Sequence, residues 1–138
     1  MIRRAGPDDM EAVLEIRRIV FIQGQNVPFE DERDGRDDEA IHLVALAGEA
    51  PVGTARILLA DGTGKIGRVA VLESHRGTGL GKSLMQAALD VRREEGATTA
   101  KLSSQTHAIG FYEALGFNAH GPEFLDAGIP HRDMTLAL

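Results

Sequence analysis

A mixed α/β domain, with one mostly antiparallel sheet flanked by helices, is the fold class this sequence predicts. Three observations carry it. Apolar segments of strand length recur three times between Ile41 and Leu72, separated by turn signals. A glycine-rich turn at 77–81 runs straight into apolar residues at helical spacing. Beyond it, strand-like and helix-like periods alternate, giving the expected order β-α-loop-β-β-β-α-β-α-β-β.

Each element has a local reason. Met1 to Arg4 reads as a short edge strand. Gly6-Pro7-Asp8-Asp9 opens a helix, because proline is tolerated in a first turn and acids there oppose the dipole. Met10, Val13, Leu14, Arg17, Val20 and Phe21 keep helical spacing, so the helix spans roughly 7–22. Residues 23–40 are polar, acidic and aperiodic, and carry Pro28 and Gly35; they read as a long ordered loop with room for one helical turn. Ile41 to Ala47 is a near-continuous apolar run, expected as a strand covered on both faces. Val52 to Leu59 returns as a second strand, Asp61-Gly62-Thr63-Gly64 signals a hairpin, and Lys65 to Leu72 completes the meander. Leu80, Leu84, Ala87, Ala88 and Val91 mark the next helix, with Gly96 as its stop. Thr98 to Ser104 is expected as a strand beside 66–72, and His107 to Leu115 as a helix ended by Gly116. Two short strands close the chain, near 117–120 and 131–136, joined by a loop through Gly121-Pro122 and Gly128-Ile129-Pro130.

Composition bounds the function. The 138 residues suffice for one domain, 1–138, with a real core. A net charge of −6 argues against a nucleic-acid partner, whose usual footprint is a basic stripe. No apolar run approaches the ~20 residues of a membrane span, and the first residues lack a signal-peptide pattern. Without cysteine there is no disulfide, thiolate metal site or thiol nucleophile, and the histidines lack an H-E-x-x-H pattern, so no metal is expected. A cytoplasmic protein, monomer or homodimer, with neither membrane nor nucleic acid as partner, is the expectation. The charge is concentrated: residues 30–39 hold seven acids against two arginines.

The glycine turn carries the chemistry. Glycines 77, 79 and 81 allow strained dihedrals and close ligand approach, and the first helical turn offers N–H groups without internal partners. Together these make an anion cradle suited to phosphates, to which Arg76 and Lys82 add positive charge. A tight turn that merely feeds a helix is the alternative. The Walker pattern nearly fits at Gly81-Lys82-Ser83, but its first glycine falls on Arg76; the dinucleotide fingerprint fails at Leu84. The pattern [RQ]-x-x-G-x-[GA] is met in full by Arg76, Gly79 and Gly81.

That pattern, the element order, and Phe111-Tyr112-Glu113-Ala114-Leu115-Gly116-Phe117 about 30 residues later together resemble the GCN5-related N-acetyltransferases (GNAT) over essentially the whole chain. Gln25-Asn26-Val27-Pro28, Asp34 to His42 and Gly121 to His131 are similar to the ElaA-like (YjcF-like) branch. The resemblance implies the GNAT fold and acetyl-CoA as co-substrate. Its pantetheine would pair with the main chain of Val69, Ala70 and Val71 where 66–72 splays from 98–104, and its pyrophosphate would lie on Gly77, Thr78, Gly79, Leu80, Gly81 and Lys82, with Arg76 and Ser83 beside it. Gln105 stands where many members carry a cofactor-contacting asparagine. Tyr112 falls at the family's general-acid position, where a phenol with pKa near ~10 can protonate a leaving thiolate.

The reaction implied is direct attack of a small-molecule primary amine on the thioester in a ternary complex. A protein or peptide N-acetyltransferase, or a non-catalytic acyl-CoA sensor, are the alternatives. The proton acceptor is a histidine, or a carboxylate acting through water. The candidates are His107 at the start of the last helix, assigned as the catalytic one, His42 in the first long strand and His131 at the start of the final one; any single histidine is more often structural than catalytic. Glu32 and Asp34 of the acidic segment are expected to face a cationic acceptor, with His42, Phe124 and His131 also on the acceptor side; a solvated acidic loop is the competing reading.

Overall fold

In the computed structural model, which describes residues 1–137, the chain forms a seven-stranded sheet in the order β1 (Ile2–Arg4), β2 (Ile41–Ala47), β3 (Ala50–Ala60), β4 (Thr63–Val71), β5 (Thr99–Gln105), β7 (Ile129–Ala137), β6 (Asn118–Asp126). Strand β1 (Ile2–Arg4) pairs with β2 (Ile41–Ala47). Helix α1 (Met10–Arg17) is led in by a 3-10 turn at Pro7–Asp9 and continues as π-type turns over Arg18–Gln23, so the expected helix is present but widens at its end. The 23–40 segment is more structured than its composition suggests. It holds α2 (Phe29–Glu32) and a 3-10 turn at Asp37–Glu39.

β2, β3 (Ala50–Ala60) and β4 (Thr63–Val71) form the antiparallel meander. Asp61 and Gly62 both have positive φ, 52° and 76°, which is why an Asp-Gly pair suits this two-residue turn. Helix α3 (Leu80–Glu94) follows the glycine turn, then β5 (Thr99–Gln105), and α4 (Ile109–Glu113) after a 3-10 turn at Thr106–Ala108. α3 buries Leu84, Met85, Ala88 and Val91 against Leu43, Ile57, Ile66 and Ala100. On the α1 side, Ile16 and Val20 bury against Ala70. No helix among the described residues is long and apolar enough to cross a membrane.

The chain's end corrects the sequence reading. β6 (Asn118–Asp126) and β7 (Ile129–Ala137) form one long hairpin, not two short strands joined by a 121–130 loop. Pro122 lacks the N–H a ladder needs, and Gly121 takes φ 75°, yet the ladder only bulges between His120 and Phe124 before resuming. Its tip is the two-residue turn Ala127-Gly128, again with both φ positive. Pro130 is accommodated because β7 begins pairing with β5 only at His131.

Two irregularities position the site. β4 pairs in parallel with β5 only over Thr63–Lys65 against Thr99–Lys101; the strand expected to lie beside 66–72 touches it at one end and then parts from it. β4 also carries a bulge. Thr54 faces Ala70 while Arg56 faces Gly67, two steps on β3 against three on β4, and Arg68 absorbs the extra residue at φ 51°.

Candidate functional site

The parting of β4 and β5 opens a cleft of about 490 Å³. β4 contributes Lys65 to Val69 and β5 contributes Leu102 to Gln105. Phe21, Gln25, Val27 and the α2 segment cover one side; His107 and Tyr112, with Asp126 and His131 of the β6–β7 hairpin, line the other.

Three arginines hold the α2 segment over the cleft. Arg17, wholly buried, donates through Nε to both oxygens of Glu32 at 3.1 Å and through Nη1 to Asp37 at 2.8 Å. Arg56 grips Asp34 with two hydrogen bonds, 2.9 and 2.8 Å, and reaches Asp37 at 3.2 Å. Arg68 places Nε 2.8 Å from Glu32 Oε2, an ion pair without hydrogen-bond alignment, and Nη2 on the Glu32 carbonyl at 3.1 Å. The Arg56 hydrogen bonds hold the Asp34 carboxyl well below the usual range. Burial alone would raise that of Asp37, but hydrogen bonds and charge from Arg17 and Arg56 outweigh it and the net shift is downward.

These contacts correct one expectation and narrow another. Glu32 is 1% exposed and its carboxylate is held by guanidinium groups, so it braces the segment and presents no free charge to an acceptor. Asp34 lines the cleft but does so already neutralised by Arg56. His42 is not part of the cleft. It lies buried beneath the acidic segment and donates its Nε2–H to the Asp37 carbonyl at 3.0 Å. Phe124 is also absent from the lining; its ring stacks on His131, centroids 6.0 Å apart.

His131 does line the cleft. The residue is 9% exposed, and its Nδ1 lies 2.7 Å from the Ile129 carbonyl, so Nδ1 carries a proton and Nε2 has no partner among the described residues. His107 sits at the exposed rim with Nε2 2.6 Å from Gln105 Oε1, and the Gln105 amide donates to Gln25 Oε1 at 2.8 Å. This polar chain ties the end of β5 to the segment after α1. Tyr112 packs edge-on against Phe111 and Phe117, and burial raises its phenol pKa, so it stays protonated at neutral pH.

The glycine turn lies outside this cleft, past the other end of β4. Val69 and Val71 pack toward the α3 core and Ala70 toward α1, leaving the main chain to face the opened edge. Gly77 and Gly79 take φ 76° and 83°, with open space where a Cβ would stand. Among the described residues no acceptor takes the N–H groups of Gly77 to Lys82; Ser83 N–H, donating to Gly79 O at 3.0 Å, is the first bonded amide of α3. Leu80 packs on the core, Lys82 and Ser83 are exposed, and Thr78 caps the His75 carbonyl at 2.6 Å. Arg76 Nε donates to the Val71 carbonyl at 3.0 Å, so it also ends β4.

Arg17, Arg56, Arg68, Gln25, Asp126 and Lys65 were not singled out as site residues by the sequence. Two carried a signal. Arg56 stands inside an apolar strand and Arg17 on the apolar face of a helix, and a charge in such a place needs a buried partner. Gln25 carried none.

The comparisons with known proteins agree on one family. The model of the acetyltransferase (GNAT) domain matches residues 24–138. The uncharacterized N-acetyltransferase YjcF of Bacillus subtilis is 41% identical over 128 residues, covering 92% of this chain and 91% of that protein. ElaA of Escherichia coli is 32% identical over 129 residues, covering 90% and 84%; its crystal structure superposes with a TM-score of 0.85, covering 98% and 99%. An acyl-CoA N-acyltransferase from Pseudomonas aeruginosa superposes with a TM-score of 0.87 at 31% identity, covering 99% and 98%.

The ionic clasp sets a pH dependence. Asp34 and Asp37 have folded-state pKa values below the unfolded value of about 3.9. Their contribution is therefore complete above that value and is lost progressively as pH falls from it through the lower folded-state values. The thermal midpoint should hold between pH 7 and 5 and drop below about pH 4. Asp34→Asn should shallow that drop; an identical acid slope in the variant would exclude the clasp as its source.

Proposed function

The chain belongs to the GNAT acetyltransferase family and is an acyltransferase; from that premise we propose that it moves an acetyl group from acetyl-CoA to the primary amine of a small molecule in a ternary complex. The parted edge of β4, ending at a turn of unpaired amides, is the observation that carries this reading. An extended chain adds to such an edge as a strand would, and a diphosphate suits the positive end of α3. The open space at Gly77 and Gly79 leaves room for that approach. Acetyl-CoA, when bound, supplies the acyl group and a thiolate leaving group.

The chain's own residues then have separate tasks. Tyr112 holds a proton at its phenol oxygen, kept there by burial, ready for a departing thiolate. His131 receives a proton from the acceptor ammonium: its tautomer is fixed by the Ile129 carbonyl, its ring is seated on Phe124, and its second nitrogen is unused. His107 takes a lesser part than its place in the sequence implies, since it sits at the rim and orients Gln105. Gln105 and Gln25 bridge the cleft and fix its width. No acyl-enzyme intermediate is needed, and with no cysteine in the chain the usual thiol nucleophile is missing.

Tyr112→Phe should lower kcat at least tenfold, with acetyl-CoA Kd within about threefold of wild type; an unchanged kcat would remove the phenol from the reaction. His131→Gln should lower kcat at least tenfold while His107→Gln stays within about threefold of wild type. The reverse pattern would move the proton acceptor to His107. Acetyl-CoA binding with no amine-dependent CoA release across an acceptor panel would replace an enzyme with an acyl-CoA sensor.

A further inference from the structure

The cleft's charges are unevenly satisfied. Glu32, Asp34 and Asp37 are matched one for one by Arg17, Arg56 and Arg68. Among the described residues the cleft charges without an ionic partner are Asp31 on the α2 side, Asp126 at the β6–β7 turn, and Lys65 on β4. The acidic segment therefore draws in a cation far less than its seven acids suggest.

Lys65 does not stand alone. It is the cross-strand partner of Lys101 in the last parallel pair before β4 and β5 separate. Both line a second groove, about 310 Å³, that continues from the cleft through Lys65, Leu102 and Ser103. Like charges on neighbouring strands, with backbones about 4.8 Å apart, repel one another. The acid of that groove, Asp133, accepts from the Ser103 hydroxyl at 2.9 Å and makes no ion pair with either lysine. Two exposed ammonium groups thus lie where the cleft runs into the second groove, and among the described residues neither makes an ion pair.

We propose that Lys65 and Lys101 bind an anionic group on the acceptor, so that the substrate is an amine bearing a carboxylate or phosphate at its far end. This rests on the N-acetyltransferase reading above. The donor's phosphates are a poor match for these lysines, because the glycine turn begins beyond Val71, six residues along β4 from Lys65, on the order of 20 Å at strand rise. Val69, on the opened edge, is four residues from Lys65, about 13 Å. Amine and anion are accordingly several bonds apart. An ω-amino acid or an aminoalkyl phosphate fits that separation; an α-amino acid is too short. Asp126 and Asp31 complement the amine end, and the Lys65–Lys101 pair the anion.

The test compares 6-aminohexanoate, 6-aminohexyl phosphate, hexylamine and 1,6-diaminohexane as acceptors. At least one anionic amine should exceed both others in kcat/KM by tenfold or more, and the better of the two identifies the anion. In the K65Q/K101Q double variant that preference should fall to about twofold or less. Equal use of hexylamine by wild type, or an undiminished preference in the variant, would overturn the proposal. Hexanoate and hexyl phosphate, which cannot be acetylated, are titrated separately by NMR. Amide shifts at Lys65 and Lys101 that vanish in the variant support the site even if no amine turns over, an outcome that would refute the transfer reaction instead. No shift with either anion refutes the lysine site whatever the turnover.

Discussion

The geometry of this protein depends on β4 being unable to pair along both its edges. It is held by β3 throughout but by β5 over three residues only, and beyond Lys65 the two strands diverge. The bulge at Arg68 coincides with that divergence. A non-glycine residue in the left-handed region costs roughly 1–2 kcal/mol, so it persists where surrounding contacts over-determine it. Here the same residue supplies them: its guanidinium meets the Glu32 carboxylate and carbonyl, and Asp34 at 3.4 Å. One side chain thus reaches from the bent strand to the segment that covers the resulting cleft.

The clasp around Arg68 explains why an acidic segment yields a nearly neutral wall. Buried charges are tolerated only when partnered and hydrogen-bonded, and the Arg17–Glu32 pair at the network's centre satisfies that on both sides. Removing one partner leaves the other stranded, typically at a cost of about 3–5 kcal/mol. The arginines therefore hold the covering segment in place, and the cleft charges left without an ionic partner lie outside the network. Tyr112, His131 and the Gln25–Gln105–His107 chain meet at the same opening from three different parts of the fold.

The meander, the Asp61-Gly62 turn, the glycine turn and the order of elements were legible because each is written in local periodicity or turn chemistry. The hairpin at 118–137 was not, since Gly121-Pro122 punctuates the sequence as a loop while the ladder on either side carries the strand through. The availability of the acids is not legible in the sequence for another reason. A carboxylate's availability depends on what approaches it from distant strands, and Arg56 and Arg68 are 22 and 34 residues from Asp34. His42 and His131 looked alike in sequence; one is buried under the covering segment and the other lines the cleft.

Amide hydrogen exchange with and without acetyl-CoA tests the opened edge of β4 most directly. Slowed exchange at Val69 to Val71 together with Gly77 to Lys82, and little change along β6, is the expected result. Binding that protects neither stretch, or protection confined to another surface, would contradict the assignment of the parted strand and its glycine turn as the place where the donor sits.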